Sequence, residues 1–166
     1  MKKMFLIAAV LLAAFSYCSD AQTPKSPRVT AAGKDVTVSY GQPSKRDREI
    51  FGGLVPYGQV WRSGANEATE ITFANDVKVA GKTVKAGTYT LFSIPSEKEW
   101  TIILNGQLKQ WGSYDYGKHK DKDVLQVKVP VKKIDKSIET LTYRFDTDSN
   151  LVIEWDQTQV AIPISQ

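Results

Sequence analysis

The chain has 166 residues, a formal net charge of +4, one histidine and one cysteine. That length suits one ordinary domain with a real core. The charge is too mild for a nucleic-acid surface. A single histidine excludes a multi-histidine metal centre, and a single cysteine excludes an internal disulfide.

The N-terminus predicts export. Lys2 and Lys3 precede an uncharged apolar run, Met4 to Phe15. Ser19-Asp20-Ala21 then places small residues where a signal peptidase reads them. The run is shorter than the ~20 residues that a stable membrane-spanning helix needs, and no second apolar run follows it. A signal peptide over residues 1–21 is therefore expected, with cleavage after Ala21 and a soluble mature domain over 22–166. Cys18 supports a second reading, a lipidated cysteine. Tyr17 argues against it, because lipoprotein signals carry a very small residue at that point. The expected destination is the periplasm or the cell surface. Cleavage removes the only cysteine and lowers the net charge by one.

Beyond the signal, alternation with a period of two dominates, which argues for strands with one buried face. Val36, Val38 and Tyr40 alternate with Thr37 and Ser39. Ile71 and Phe73 flank Thr72. Tyr89, Leu91 and Ser93 interleave with Thr90, Phe92 and Ile94, so that strand looks apolar on both faces and central. Trp100, Ile102 and Leu104 line the next strand. Leu125, Val127, Val129 and Val131 form another, with Pro130 predicting an edge or a strand end. Leu141, Tyr143 and Phe145 follow, then Leu151, Ile153 and Trp155, then Val160, Ile162 and Ile164. Turn-forming clusters separate these runs at Asn75-Asp76, Ala80-Gly81-Lys82, Ala86-Gly87, Asn105-Gly106 and Asp148-Ser149-Asn150. The expected fold is all-β: an antiparallel β-sandwich, jelly-roll or immunoglobulin-like, of about nine strands with two long loops.

The two loops run from Gly41 to Ala68 and from Gln107 to Asp123. Long ordered loops are where function tends to sit. In the first, Trp61, Arg62, Asn66 and Glu67 supply a stacking face, a cation, an amide and a carboxylate, with Tyr57 nearby. Such a set suits a sugar or another small polar ligand. Purely structural roles are equally physical: Arg62 could pair with Glu67, Asn66 could satisfy loop backbone, and Trp61 could plug one end of the fold. In the second loop, Trp111, Tyr114 and Tyr116 could stack on a ring or pack over the sheet.

Standard catalytic patterns are missing. There is no nucleophile-elbow Gly-x-Ser-x-Gly and no phosphate-cradling glycine motif. Glu67, Glu70 and Asp115 could contribute to an acid pair for glycoside cleavage, but no spacing selects one. A binding role without catalysis is favoured. A carboxylate-pair hydrolase and a structural module of the cell envelope are the alternatives. No cofactor or metal is expected, and nothing in the sequence sets an oligomeric state.

The run Ile50-Phe51-Gly52-Gly53-Leu54-Val55-Pro56-Tyr57-Gly58-Gln59-Val60-Trp61-Arg62-Ser63-Gly64-Ala65-Asn66-Glu67-Ala68-Thr69 resembles the signature of a family of exported bacterial proteins, the domain of unknown function 2911. Ala86-Gly87-Thr88-Tyr89-Thr90-Leu91-Phe92, Ile94-Pro95, Glu99-Trp100-Thr101 and Trp111-Gly112-Ser113-Tyr114 extend the resemblance over nearly all of the mature chain. It implies an exported β-rich domain and adds weight to both loops. It implies no activity.

Overall fold

The computed structural model describes residues 26–166. The expected signal peptide and Cys18 lie outside these residues. The regular structure of the described chain consists almost wholly of strands, all paired antiparallel. They are β1 (Arg28–Gly33), β2 (Val36–Gly41), β3 (Thr69–Phe73), β4 (Val77–Val79), β5 (Lys82–Val84), β6 (Gly87–Ile94), β7 (Glu99–Asn105), β8 (Asp123–Phe145), β9 (Leu151–Ile162) and β10 (Ile164–Ser165). A helical turn, α1 (Tyr116–His119), and a 3-10 turn over Lys120–Lys122 precede β8.

The strands form two sheets. Seven are hydrogen-bonded in the order β1-β2-β3-β6-β7-β8-β9, and three in the order β10-β4-β5. Among the described residues there are thus ten strands rather than about nine. The difference has local causes. Residues 28–33 contain Ala31, Ala32 and Gly33, which carry little strand signal, yet they pair fully with β2. The β4–β5 hairpin is too short for alternation to register. It turns on Ala80 and Gly81, both at positive φ, the pattern of the two-residue turns that match strand twist.

Two expected strands are fused in β8. Its first half pairs with β7 as far as Glu99↔Pro130. From Val131 onward it pairs with β9. Pro130 therefore sits where the β7 ladder ends, but the strand runs on through it. Register shifts between Lys133 and Ile138, and again between Ile138 and Thr142, let β8 bend. Its far half comes back to the chain just beyond β2: Lys45 N donates to Glu139 O at 2.7 Å and Leu141 N to Pro43 O at 3.0 Å. The large sheet is curled as a result.

The expected central strand is confirmed. β6 lies between β3 and β7, and Leu91 and Phe92 on its opposite faces are both buried. Leu91 belongs to the main core, which joins residues from both sheets and from the first loop. Phe92 belongs to a smaller cluster with Ala68, Ile103 and Tyr116 on the other face. The two-sided pattern in the sequence thus has a specific origin: the second loop covers the outer face of β6 and β7.

Because β2 and β3 are antiparallel neighbours, Gly41 and Thr69 share one end of the sheet, and Val36 and Phe73 the other. The first loop leaves and re-enters at the former end. A backbone contact seals its root. Ala65 N donates to Gly41 O at 3.1 Å, and a Cβ on Gly41 would lie 2.1 Å from Ala65 O. Only glycine permits that approach. Gly41→Ala should therefore cost about 1–3 kcal/mol, as overpacking does, with the urea midpoint falling and its slope unchanged.

Candidate functional site

The first loop folds over the open end of the curled sheet. Phe51 and Trp61 reach inward onto two buried tryptophans, Trp100 of β7 and Trp155 of β9. The Phe51 and Trp100 centroids are 4.9 Å apart. Trp61 stacks on Trp155 at 6.1 Å and meets Trp100 edge-on at 5.9 Å. Each such pair contributes about 0.5–1.5 kcal/mol beyond the area it buries. Trp61 is also tied by its backbone, which exchanges both hydrogen bonds with Ser93 of β6, and its indole N–H donates to Gly64 O.

Ser63 locks the next turn. It is fully buried at φ 55°, a left-handed conformation that costs a serine about 1–2 kcal/mol. Three hydrogen bonds offset that cost. Its hydroxyl meets that of Ser93 at 2.8 Å, and its carbonyl accepts from Thr69 Oγ1 at 2.9 Å and from Tyr143 Oη at 2.6 Å. Burial pushes the Tyr143 hydroxyl well above the usual tyrosine range. With Trp61 and Ser63 both anchored in the interior, the backbone between them that carries Arg62 has little freedom.

The result is a cleft of about 390 Å³. Trp61 and Trp155 give it apolar walls, while Arg48, Gln59, Arg62 and Asn66 bring polar groups. The second loop contributes Ser113, whose hydroxyl donates to Val60 O at 2.9 Å. The two loops are stitched further by Ala68 N to Gln110 O and by Gly112 N to Asn66 O. They do close one shared cleft.

The residues singled out from the sequence divide. Trp61, Arg62 and Asn66 line the cleft. Trp61 also plugs the end of the fold. Asn66, at φ 61°, donates its amide to Ser26 O and holds the start of the described chain. Arg62 does not pair with Glu67. The Glu67 carboxylate is exposed and lies 4.0 Å from Arg28. Arg62 Nε is buried without a hydrogen-bond partner. Trp111 and Tyr114 are 61 % and 78 % exposed. They border the cleft without lining it: a Cβ on Gly112, between them, would lie 2.6 Å from the Tyr114 ring and 3.3 Å from Arg62 Nη1.

Two residues stand elsewhere. Tyr57 borders a separate shallow depression with Ser96 to Glu99. Its hydroxyl is pushed up by burial, then by the charges of Glu97 and Glu49. Tyr116 is buried against Phe92 at 5.2 Å and donates to Asp123 Oδ2 at 2.7 Å. Burial, then that bond, raise its hydroxyl above the usual range. Tyr116 thus holds the second loop down. The carboxylates considered for hydrolysis are also dispersed. Glu70 accepts from Lys109 N. Asp115 pairs with Lys118, and that bond holds its carboxyl below the usual range.

Sequence reasoning missed Trp155, Arg48, Gln59 and Ser113. The alternation placed Trp155 in the core, where it is, and gave no sign that it also lines a cleft built by a distant loop. Arg48 sits in the charged run Lys45 to Glu49, where nothing marks one residue above its neighbours.

The roles of Tyr116 and Glu67 have separate signatures. Tyr116→Phe should cost about 1.5–3 kcal/mol at neutral pH, the worth of a hydrogen bond to a charged acceptor. Because the fold holds this hydroxyl protonated, its share of stability is complete below pH ~10 and is lost as pH rises above it. The variant should therefore show a shallower alkaline limb in denaturation. Glu67→Ala should stay within about 0.5 kcal/mol of the parent.

The chain matches, over residues 22–164, the model of a family described as protein of unknown function (DUF2911). No curated protein and no solved structure matches it. The family match spans both loops, the cleft between them and every strand that carries the aromatic cluster. The chain is a member of the DUF2911 family.

Proposed function

We propose that this protein is an exported binding domain that takes a small polar ligand, a carbohydrate or a molecule of similar size, in the cleft between its two loops. One observation carries the reading: a preformed concavity in which two tryptophan walls meet the polar side chains of Gln59, Arg62 and Asn66. Ligand sites combine apolar walls with placed polar groups in this way. Trp111 and Tyr114, exposed at the border, offer faces for a second ring to stack on.

Export rests on the charge and hydropathy pattern of residues 2–21. The family match, which begins at residue 22, agrees with removal of that segment. Among the described residues no helix is long and apolar enough to cross a membrane. Among the described residues no carboxylate lines the cleft and none offers an acid pair there, so we favour binding over catalysis.

The reading is tested by amide and indole NMR shifts of the labelled protein, titrated with a panel of neutral and charged mono- and disaccharides. Shifts should concentrate at Gln59, Trp61, Asn66 and Ser113. Gln59→Ala, at an exposed position, should weaken the response about three- to tenfold, as loss of one hydrogen bond does. Shifts confined to Tyr57 and Ser96–Glu99, or no saturable shift with any sugar, would contradict it.

A further inference from the structure

We propose that the cleft is an oxyanion site: its ligand carries a carboxylate or phosphate group, held by Arg62 and Arg48. This rests on the reading of the cleft as a ligand site and narrows the chemical class.

The charge inventory is one-sided. Among the described residues, two arginines line the cleft and no aspartate or glutamate does. Arg62 is the sharper case. Its Nε is buried with no acceptor, and no ion pair among the described residues includes it. Three carboxylates of these loops and of β8 have partners of their own: Glu67 faces Arg28, Asp115 binds Lys118, and Glu139 accepts from Arg46 N. A partly buried guanidinium without a counter-charge is costly, and folds rarely keep one without a use.

Arg48 is held by neutral groups. Its Nε donates to Lys45 O at 2.9 Å and its Nη2 to Ser44 O at 2.6 Å. Those carbonyls fix the head of the side chain and leave its positive charge unanswered. Arg62 is positioned from both sides, by the anchored Trp61–Ser63 backbone and by Gly112, whose missing Cβ leaves room for Nη1. A planar guanidinium fixed in advance suits the paired oxygens of a carboxylate or phosphate. The tryptophan walls exclude water and strengthen that attraction. A neutral sugar would use the walls and the amides but leave both charges uncompensated.

The test compares three probes that share one ring: glucose, glucuronate and glucose 6-phosphate. Binding is read by calorimetry and by the shift of the Arg62 Nε–Hε NMR signal. At least one charged probe should bind tenfold or more tightly than glucose, and the tighter of the two identifies the oxyanion. That advantage should shrink between 20 and 500 mM NaCl, roughly as expected for screened charges. It should vanish in Arg62→Gln and survive in part in Arg62→Lys. If Arg62→Gln does not fold, Arg48→Gln, at an exposed position, should still reduce the advantage severalfold. Equal binding of all three probes would overturn the oxyanion assignment and leave the cleft a polar-ligand site. Failure of the folded protein to bind any of them would overturn both.

Discussion

Four aromatic rings hold this molecule together where it would otherwise be open. A curled antiparallel sheet has an exposed mouth at each end, and one mouth here is closed by a loop. Phe51 and Trp61 arrive from that loop and settle on Trp100 and Trp155, which arrive from strands β7 and β9. The contact completes the core, and it also fixes the loop tightly enough for its outer surface to hold a shape. The cleft is a consequence of how the core is finished. Its walls, Trp61 and Trp155, belong to the same cluster that seals the sheet.

The buried hydroxyl network works alongside the rings. Ser63 adopts a left-handed turn that its own chemistry disfavours, held by Ser93, Thr69 and Tyr143. Those partners come from three different strands, β6, β3 and β8. A loop turn bound to three strands moves only when the sheet moves. Such strain, stored where the surrounding structure over-determines it, often marks a functional position. Here it sits next to Arg62, whose buried Nε has no hydrogen-bond partner among the described residues. The second loop adds a cover on the outer face of β6 and β7 through Tyr116 and Phe92, and brings Ser113 to the cleft.

Much of the strand pattern was legible from alternation alone. Val36–Val38–Tyr40 and Trp100–Ile102–Leu104 point their apolar side chains as the period of two demands, and the two-sided burial of β6 follows from its double row of apolar residues. What alternation could not reveal was pairing over distance. Leu125–Val131 and Leu141–Phe145 read as two strands because residues 132–140 break the pattern, yet β8 runs through them with shifts of register. The loops were legible as unusual because they lacked a period. Which of their side chains face one another was not, since that depends on a meeting of segments some fifty residues apart, such as Ser113 with Val60. Tyr116 shows the limit most clearly: it shares a short aromatic-rich run with Trp111 and Tyr114, but one helical turn sends it inward while they stay in solvent.

The central claim is that the first loop is part of the core rather than an appendage to it. Native-state hydrogen exchange addresses it most directly, because locally opening segments exchange faster than the globally protected sheet. The amides of Trp61, Ala65, Ala68 and Thr69, which donate to the backbone of Ser93, Gly41, Gln110 and Arg62 in bonds that belong to no strand ladder, should exchange at the rate of the β6–β7 amides and show the same dependence on denaturant. If they exchange many-fold faster, with little dependence on denaturant, the loop opens while the sheet stays intact, and the account of a rigid cleft built on a finished core is wrong.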